Sequence, residues 1–375
     1  MTYVRGSSAV FRAALRAADA IESTWGTLKK MRANDGRALY LGVDGGGTKT
    51  ALALIDSEGT VRGMHVAPGT YYLSLGLDAV GRLLAGAVTE MLHKSELTIG
   101  DVDFAFFGLA GHGEDSTLVD ALERLPEQYM SARKFLCGND MICGWAGSFA
   151  CRDGINVVSG TGSICYGERN GLTARSGGWG EIFSDEGSGY WIAVRGLNLF
   201  ARMSDGRTPL GPLHALVKQR LDISYDLDLC ARVYGRLKGD RARIAQLCRI
   251  VLNASAAGDG QATMILSHAA DELVLMVDAI RKRLGFELLE TIPVSCSGGV
   301  FEDASGLLLH HVRVALQARE ARYQLCDPAF APAVGAALYA AKCHGRPLSD
   351  AALERLREQA SLRFQGFQLT ESRAE

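Results

Sequence analysis

The sequence predicts an α/β fold of two similar lobes that face each other across a cleft. Three observations lead there. Strand-like and helix-like segments alternate from Ala38 onward. Two strand–glycine turn–strand units recur about 115 residues apart. The chain has 375 residues, enough for about two domains. A duplicated unit within one chain implies two like lobes with a site between them.

The first unit opens with the apolar run Leu39-Tyr40-Leu41-Gly42-Val43 and turns at Asp44-Gly45-Gly46-Gly47-Thr48-Lys49-Thr50. It leaves through Ala51-Leu52-Ala53-Leu54-Ile55. Three consecutive glycines let the backbone approach a ligand closely and aim its N–H groups at an anion. Thr48 and Lys49 add a hydroxyl and a cation, and Asp44 at the strand end is placed to hold a hydrated Mg²⁺. Taken alone, the stretch is equally a glycine hairpin with no ligand. It is neither a Walker A loop nor a dinucleotide fingerprint, because both lead into a helix and this turn leads into a strand.

Strands are expected at about 39–44, 50–56 and 60–66. A helix is expected at about 76–94, where Leu77, Val80, Leu83, Leu84, Val88 and Met91 share a face. Val102 to Leu109 reads as a buried strand, 115–124 as a helix, and Arg133 to Cys137 as a strand ending at Asn139-Asp140. The cycle then restarts: strand Gly154 to Val158, turn Ser159-Gly160-Thr161-Gly162-Ser163, strand Ile164 to Gly167. A long helical stretch is expected over 187–290, broken near Asp205-Gly206 and Gly258-Asp259-Gly260. A late strand, Ile292 to Cys296, runs into a third turn, Ser297-Gly298-Gly299. A small-residue helix opens at Ala331-Pro332.

Composition excludes several classes. Apolar residues make up 47% and charged residues 22%, as in soluble globular proteins. A formal charge of −2 gives no basic surface for nucleic acid, and no apolar run is long enough for a membrane span. Nine scattered cysteines show no zinc or redox spacing and suit a reducing, cytoplasmic setting. Residues 1–37 read as an accessory helical extension, with Val10, Ala14, Ala17, Ala18, Ile21 and Trp25 at helical spacing. The first lobe is expected over 38–150, with the C-terminal segment as an option to join it. The second is expected over 151–345, and a C-terminal helix and tail over 346–375.

The three turns in this order resemble the phosphate 1, phosphate 2 and adenosine segments of the ATPase fold shared by actin, the heat-shock chaperones and the sugar kinases. Gly177-Gly178-Trp179-Gly180-Glu181-Ile182-Phe183-Ser184-Asp185-Glu186-Gly187-Ser188-Gly189-Tyr190-Trp191 is similar to the signature of the N-acetylglucosamine kinase branch of the BadF/BadG/BcrA/BcrD ATPases. Asn139-Asp140 matches too. The match runs from about Tyr40 to Tyr339.

The resemblance implies two actin-like (ribonuclease H-like) lobes, ATP and Mg²⁺, and phosphoryl transfer to a hydroxyl, O6, of an amino sugar such as N-acetylglucosamine or glucosamine. Gly45, Gly46, Gly47, Thr48, Lys49, Gly160, Thr161, Gly162, Ser163, Gly298 and Gly299 would hold the nucleotide. Asp44 would organise the metal and Asp140 would be the general base, although Asp140 also suits a helix cap. Thr70, Gly178, Trp179, Asp185 and Glu186 would face the sugar. Asp185 and Glu186 equally suit the first turn of a helix, and Trp179 equally suits a core. A homodimer is implied by the branch. Pro68-Gly69-Thr70-Tyr71-Tyr72 departs from the branch, which places an Asn where Tyr71 stands. The competing class is the ATP-driven activator of 2-hydroxyacyl-CoA dehydratases and benzoyl-CoA reductases, which needs grouped thiolates for an iron–sulfur cluster.

Overall fold

The computed structural model describes residues 36–359. Of the N-terminal extension expected over 1–37, residues 1–35 lie outside the described residues; of the C-terminal helix and tail expected over 346–375, residues 350–359 are helical and 360–375 lie outside them. From Ala38 onward the chain forms one unit.

The first sheet is built from β1 (Leu39–Gly45), β2 (Lys49–Asp56), β3 (Val61–Pro68), β4 (Phe104–Leu109) and β5 (Phe135–Asn139), in the order β3-β2-β1-β4-β5. β1 lies antiparallel to β2 and parallel to β4, with Asp44 opposite Ala51 on one side and Gly108 on the other. As the central strand it is covered on both faces, hence its almost unbroken apolar run. The helix α1 (Leu77–Lys94) lies on one face and buries Val80, Leu84, Val88 and Met91. These recur at helical spacing, so one stripe covers the sheet.

The second sheet has β6 (Gly154–Ser159), β7 (Ser163–Arg169), β8 (Leu172–Gly177), β9 (Ile292–Ser297) and β10 (Tyr323–Cys326), in the order β10-β9-β6-β7-β8. β6 pairs antiparallel with β7 and parallel with β9. Read from the other edge, this is the order and polarity of the first sheet. The repeat suggested by two glycine turns is thus a repeat of the whole sheet.

Between the sheets runs α2 (Met141–Phe149), whose Trp145 is fully buried against Tyr166 of β7 and Tyr339. In the second lobe, α3 (Gly189–Ser204) and α4 (Gly260–Arg283) cover the sheet with Ile192, Phe200, Leu266, Leu273 and Val277. The last helix named here, α5 (Pro332–Cys343), packs on the first sheet, not the second. Its Ala333, Ala336, Ala337 and Ala340 share a core with Tyr40, Ile55 and Phe106. Contact is so close that a methyl on Gly42 would sit 2.1 Å from the Ala337 nitrogen. Only a run of small residues allows that approach. The second-lobe boundary expected at 345 is therefore too late, because residues from Phe330 onward belong to the first-lobe core.

Other expectations shift at edges. The helix expected at 115–124 shrinks to Val119–Glu123, because the Asp115 carboxylate accepts from the backbone and hydroxyl of Thr117 and fixes a turn there. β8 and β10 went unforeseen because both are edge strands, one half exposed and one of four residues. α2 went unforeseen because Gly144 and Gly147 weaken its helical signature. The stretch 187–290 is helical in pieces, starting at Gly189 where Ser188 caps Trp191 through a 3.1 Å bond. Among the described residues no helix is long and apolar enough to cross a membrane.

Candidate active site

The three glycine turns meet at one place. The first closes when the Gly46 N–H donates to the Lys49 carbonyl at 3.0 Å. The loop after β3 braces it through Thr70 N–H to Gly46 O at 3.1 Å and Gly69 N–H to Thr48 O at 3.2 Å. In the second turn Gly160 N–H reaches Gly162 O at 2.9 Å, and the first residue of α3 buttresses it through Gly189 N–H to Gly160 O at 2.8 Å. Because β6 and β9 are parallel neighbours, the third turn emerges beside the second. Gly298, at φ +101°, leaves no room for a side chain: a methyl there would lie 2.5 Å from the Ser159 carbonyl oxygen. Across the cleft, the Thr48 and Thr161 hydroxyl oxygens stand 3.5 Å apart. Two N–H-bearing turns from opposite lobes thus converge on one small volume.

Asp44 and Asp140 are the carboxylates beside them. Asp44 ends β1, and burial followed by the charge of Asp140 pushes its pKa up to about 7, with Lys49 opposing. Asp140 precedes α2, and burial followed by the charge of Glu114 pushes it up to about 6. Asp140 makes no side-chain cap on that helix. The cap comes from Asn139, whose Oδ1 accepts from Met141 N–H at 3.1 Å while its Nδ2 donates to the His112 carbonyl at 3.0 Å. Asn139 thus caps the helix start, while backbone N–H groups of Asp140 and Met141 oppose the rise in the Asp140 pKa.

On the second-lobe side, Asp185 is only 2% exposed and holds a left-handed backbone at φ +58°. Its Oδ2 accepts from the Arg241 Nη2, and its Oδ1 from Gly180 N–H at 3.3 Å. Burial raises its pKa while Arg241 opposes the rise. Arg241 Nε also faces Glu181 Oε2 at 3.2 Å. Glu186 is half-buried and accepts from the Ser184 hydroxyl at 3.1 Å. Trp179 is 69% exposed, with the Arg175 guanidinium 5.3 Å from its ring, so of its two readings the core one does not hold. Ile182 and Phe183 are exposed beside it in the chain.

Besides Asp185, whose two oxygens are taken by Arg241 and Gly180, two more expected site residues are otherwise occupied. Thr70 is 1% exposed and its hydroxyl pairs with Thr50 at 3.1 Å, so it braces the first turn and is not presented to substrate. The Ser163 hydroxyl donates to the Glu186 carbonyl at 2.7 Å, which ties the second turn to the loop before α3. Tyr71 instead faces the cleft. Its hydroxyl donates to Glu114 Oε2 at 2.9 Å, and its ring fits because Gly111 lacks a side chain: a methyl there would lie 2.7 Å from that ring. Glu114, Glu181 and Arg241 were not anticipated. Glu114 had a signal, since loops beyond the carboxyl ends of strands line ligand crevices in open α/β sheets. Arg241, in the polar run Lys238-Gly239-Asp240-Arg241, had none.

A family model for the BadF/BadG/BcrA/BcrD ATPases matches residues 41–340. The chain belongs to this family. Among curated relatives, the N-acetyl-D-glucosamine kinase of Dictyostelium discoideum is 26% identical over 81% of this chain and 98% of its own length. The N-acetylmuramic acid/N-acetylglucosamine kinase of Clostridium acetobutylicum is 32% identical over 71% of this chain and 87% of its own. Of solved structures, a Chromobacterium violaceum protein described as a candidate N-acetylglucosamine kinase superposes with TM-score 0.66 at 24% identity, covering 80% of this chain and 98% of that one. A Streptomyces griseus ROK family glucokinase superposes with TM-score 0.52 at 17% identity, over 81% and 100%. At such identities these two establish the fold, the two-lobed actin-like ATPase fold of sugar kinases.

Proposed function

We propose that this family member is an ATP-dependent kinase that phosphorylates a hydroxyl, O6, of an amino sugar, with N-acetylglucosamine or glucosamine as acceptor. One observation carries the reading: two opposed glycine turns bring the Thr48 and Thr161 hydroxyl oxygens within 3.5 Å, and the first of them follows Asp44, which feels the charge of Asp140. The curated relatives are named for this class of acceptor, which supports the sugar.

In this reading the N–H groups of the two turns bind the β- and γ-phosphates, and Gly298-Gly299 lies against the adenosine. Asp140 takes the proton from the attacking hydroxyl; the new O–P bond forms as the bond from the γ-phosphorus to the ADP oxygen breaks, and ADP leaves with its charge neutralised. Little covalent chemistry falls to the protein, so placement and charge neutralisation dominate. Mg²⁺ fits the donor set. Burial pushes the Asp44 and Asp140 carboxylates up to about 7 and about 6, so a cation arriving with the phosphates would favour their charged forms. Asp44 would hold it through water, and the ion would neutralise charge on the transferring group.

Asp185 and Glu186 border the sugar side, with Gly178 and Gly180 giving backbone freedom at φ +70° and +99°. Tyr71, paired with Glu114, replaces an amide at the rim and bears on which amino sugar is preferred. A homodimer belongs to the same reading, and light scattering at micromolar concentration should give twice the chain mass. A coupled ADP-release screen over hexoses, hexosamines, N-acetylhexosamines and muramic acids tests the acceptor. Release stimulated by an amino sugar is expected; release blind to every sugar would overturn the reading.

A further inference from the structure

We propose that Arg241 is a catalytic residue of the transfer, contacting the phosphoryl group from the second-lobe side. The inference rests on the kinase reading and adds a residue to it.

Arg241 begins a short helix, Arg241–Ala245, whose Ile244 and Ala245 are buried in the second lobe. The Ala245 carbonyl oxygen would lie 3.3 Å from a methyl on Gly189, the residue that buttresses the second turn. This packing sets where the arginine starts. Its guanidinium then runs to the turn itself: a methyl on Gly162 would sit 2.5 Å from Nη2. Gly162 directly follows Thr161, the residue that faces Thr48 across the cleft. The guanidinium therefore lies against the wall of the volume where the two turns converge.

It is held there from behind. Nη2 donates to the buried Asp185, and Nε faces Glu181 at 3.2 Å. Nη1 has no hydrogen-bond partner among the described residues, and the side chain is 31% exposed. Burial and then Glu114 raise the pKa of the Tyr71 hydroxyl in the opposite lobe, and the charge of Arg241 opposes that rise. A fixed, planar, permanently charged fork with free donors suits phosphate oxygens better than a carboxylate pair requires. Charge on the equatorial oxygens grows during phosphoryl transfer, so a cation placed there acts in the transition state. Lys49 supplies positive charge from the first lobe; Arg241 supplies it from the second.

The test uses the full chain and two readouts. The first is turnover on the best acceptor for wild type, Arg241→Ala and Arg241→Lys. Arg241→Ala should lower kcat by about 10²–10³-fold, the scale of losing one preorganised electrostatic partner, with the ATP KM little changed. Arg241→Lys, which keeps charge but not the fork, should fall in between. The second readout needs no acceptor: titration with Mg-ADP, with and without aluminium fluoride as mimic of the transferring group. Wild type should bind the fluoride complex more tightly than ADP alone, and Arg241→Ala should lose that gain while binding ADP normally, which also reports that it is folded. A purely structural role, holding Asp185, predicts a raised sugar KM at unchanged kcat and an undiminished gain from fluoride. Either of those results overturns the proposal. Failure of the kinase reading shows separately, as wild type that transfers to no sugar.

Discussion

The two lobes share one sheet topology but use their glycine turns differently. The first-lobe turn, Gly45-Gly46-Gly47, is braced by the loop after β3 and brings acids with it: Asp44, Asp140 and, through Tyr71, Glu114. The second-lobe turn, Gly160 to Ser163, is braced by a helix start and the loop before it, and it brings Arg241 held by Asp185 and Glu181. The sheet is the duplicated scaffold, and the loops at its strand ends carry the divergent chemistry. The lesson is that a repeat in a sequence locates a site without saying what each half contributes to it.

The largest effect should come from the acidic half. Asp140→Asn keeps the shape and cannot accept a proton, so kcat should fall by about 10²–10⁴-fold with sugar KM nearly unchanged. Steady-state kinetics on the best acceptor would check it. A near-normal kcat would move the base to another group and remove the main contrast between the lobes.

Next is the second turn. Gly162→Val would drive a side chain into Arg241 Nη2 and Asp185 Oδ2, 2.5 and 2.7 Å from the first added carbon. Nucleotide affinity by calorimetry should fall by more than about tenfold, since the turn must shift or the ligand must withdraw. Unchanged affinity in a folded variant would mean that the second turn does not approach the phosphates.

A milder effect is expected at the rim. Tyr71→Phe removes the hydroxyl bond to Glu114, worth about 1–3 kcal/mol where a charged partner is involved and less where solvent reaches it, as it does here. The ratio of kcat/KM between N-acetylglucosamine and glucosamine should change by several-fold while the ATP KM stays put. An unchanged ratio would leave Tyr71 as packing only.

The smallest effect is on stability, and its sign is the informative part. Asp44 has a folded-state pKa of about 7 against an ordinary 3.8, raised chiefly by burial and then by Asp140. Such a group favours the folded state below its unfolded pKa, and that contribution is lost as pH rises through the folded value. Asp44→Asn removes the cost, so without nucleotide it should melt about 2–4 °C higher than wild type at pH 7.5. The gap should close towards pH 4.5. Adding Mg-ATP should stabilise wild type and do little for the variant. A variant less stable than wild type at pH 7.5 would show that Asp44 is satisfied within the fold.

Much of this was legible in the sequence, for identifiable reasons. Buried central strands such as β1 and β4 announce themselves as apolar runs, and turns at their ends announce themselves as glycines. α1 was legible because one stripe is apolar. What escaped was what tertiary packing decides. β8 and β10 are edge strands with weak patterns. α5 packs its alanines on the first sheet and Gly335 on α2, a placement that no period reveals and that the sequence left as an option. Thr70 was placed next to substrate by motif position, yet its hydroxyl turns inward to Thr50. Arg241 lies 56 residues after Asp185 in a polar stretch without signature, and only the fold unites them.

The central claim is that the opposed turns and Asp140 pass a phosphoryl group to a sugar hydroxyl. Phosphorus NMR of a reaction with the full chain, Mg-ATP and N-acetylglucosamine or glucosamine reads this directly. The account predicts that a sugar phosphate ester signal grows in step with ADP. Growth of inorganic phosphate instead, at a rate indifferent to sugar, would identify a hydrolysing ATPase and contradict it.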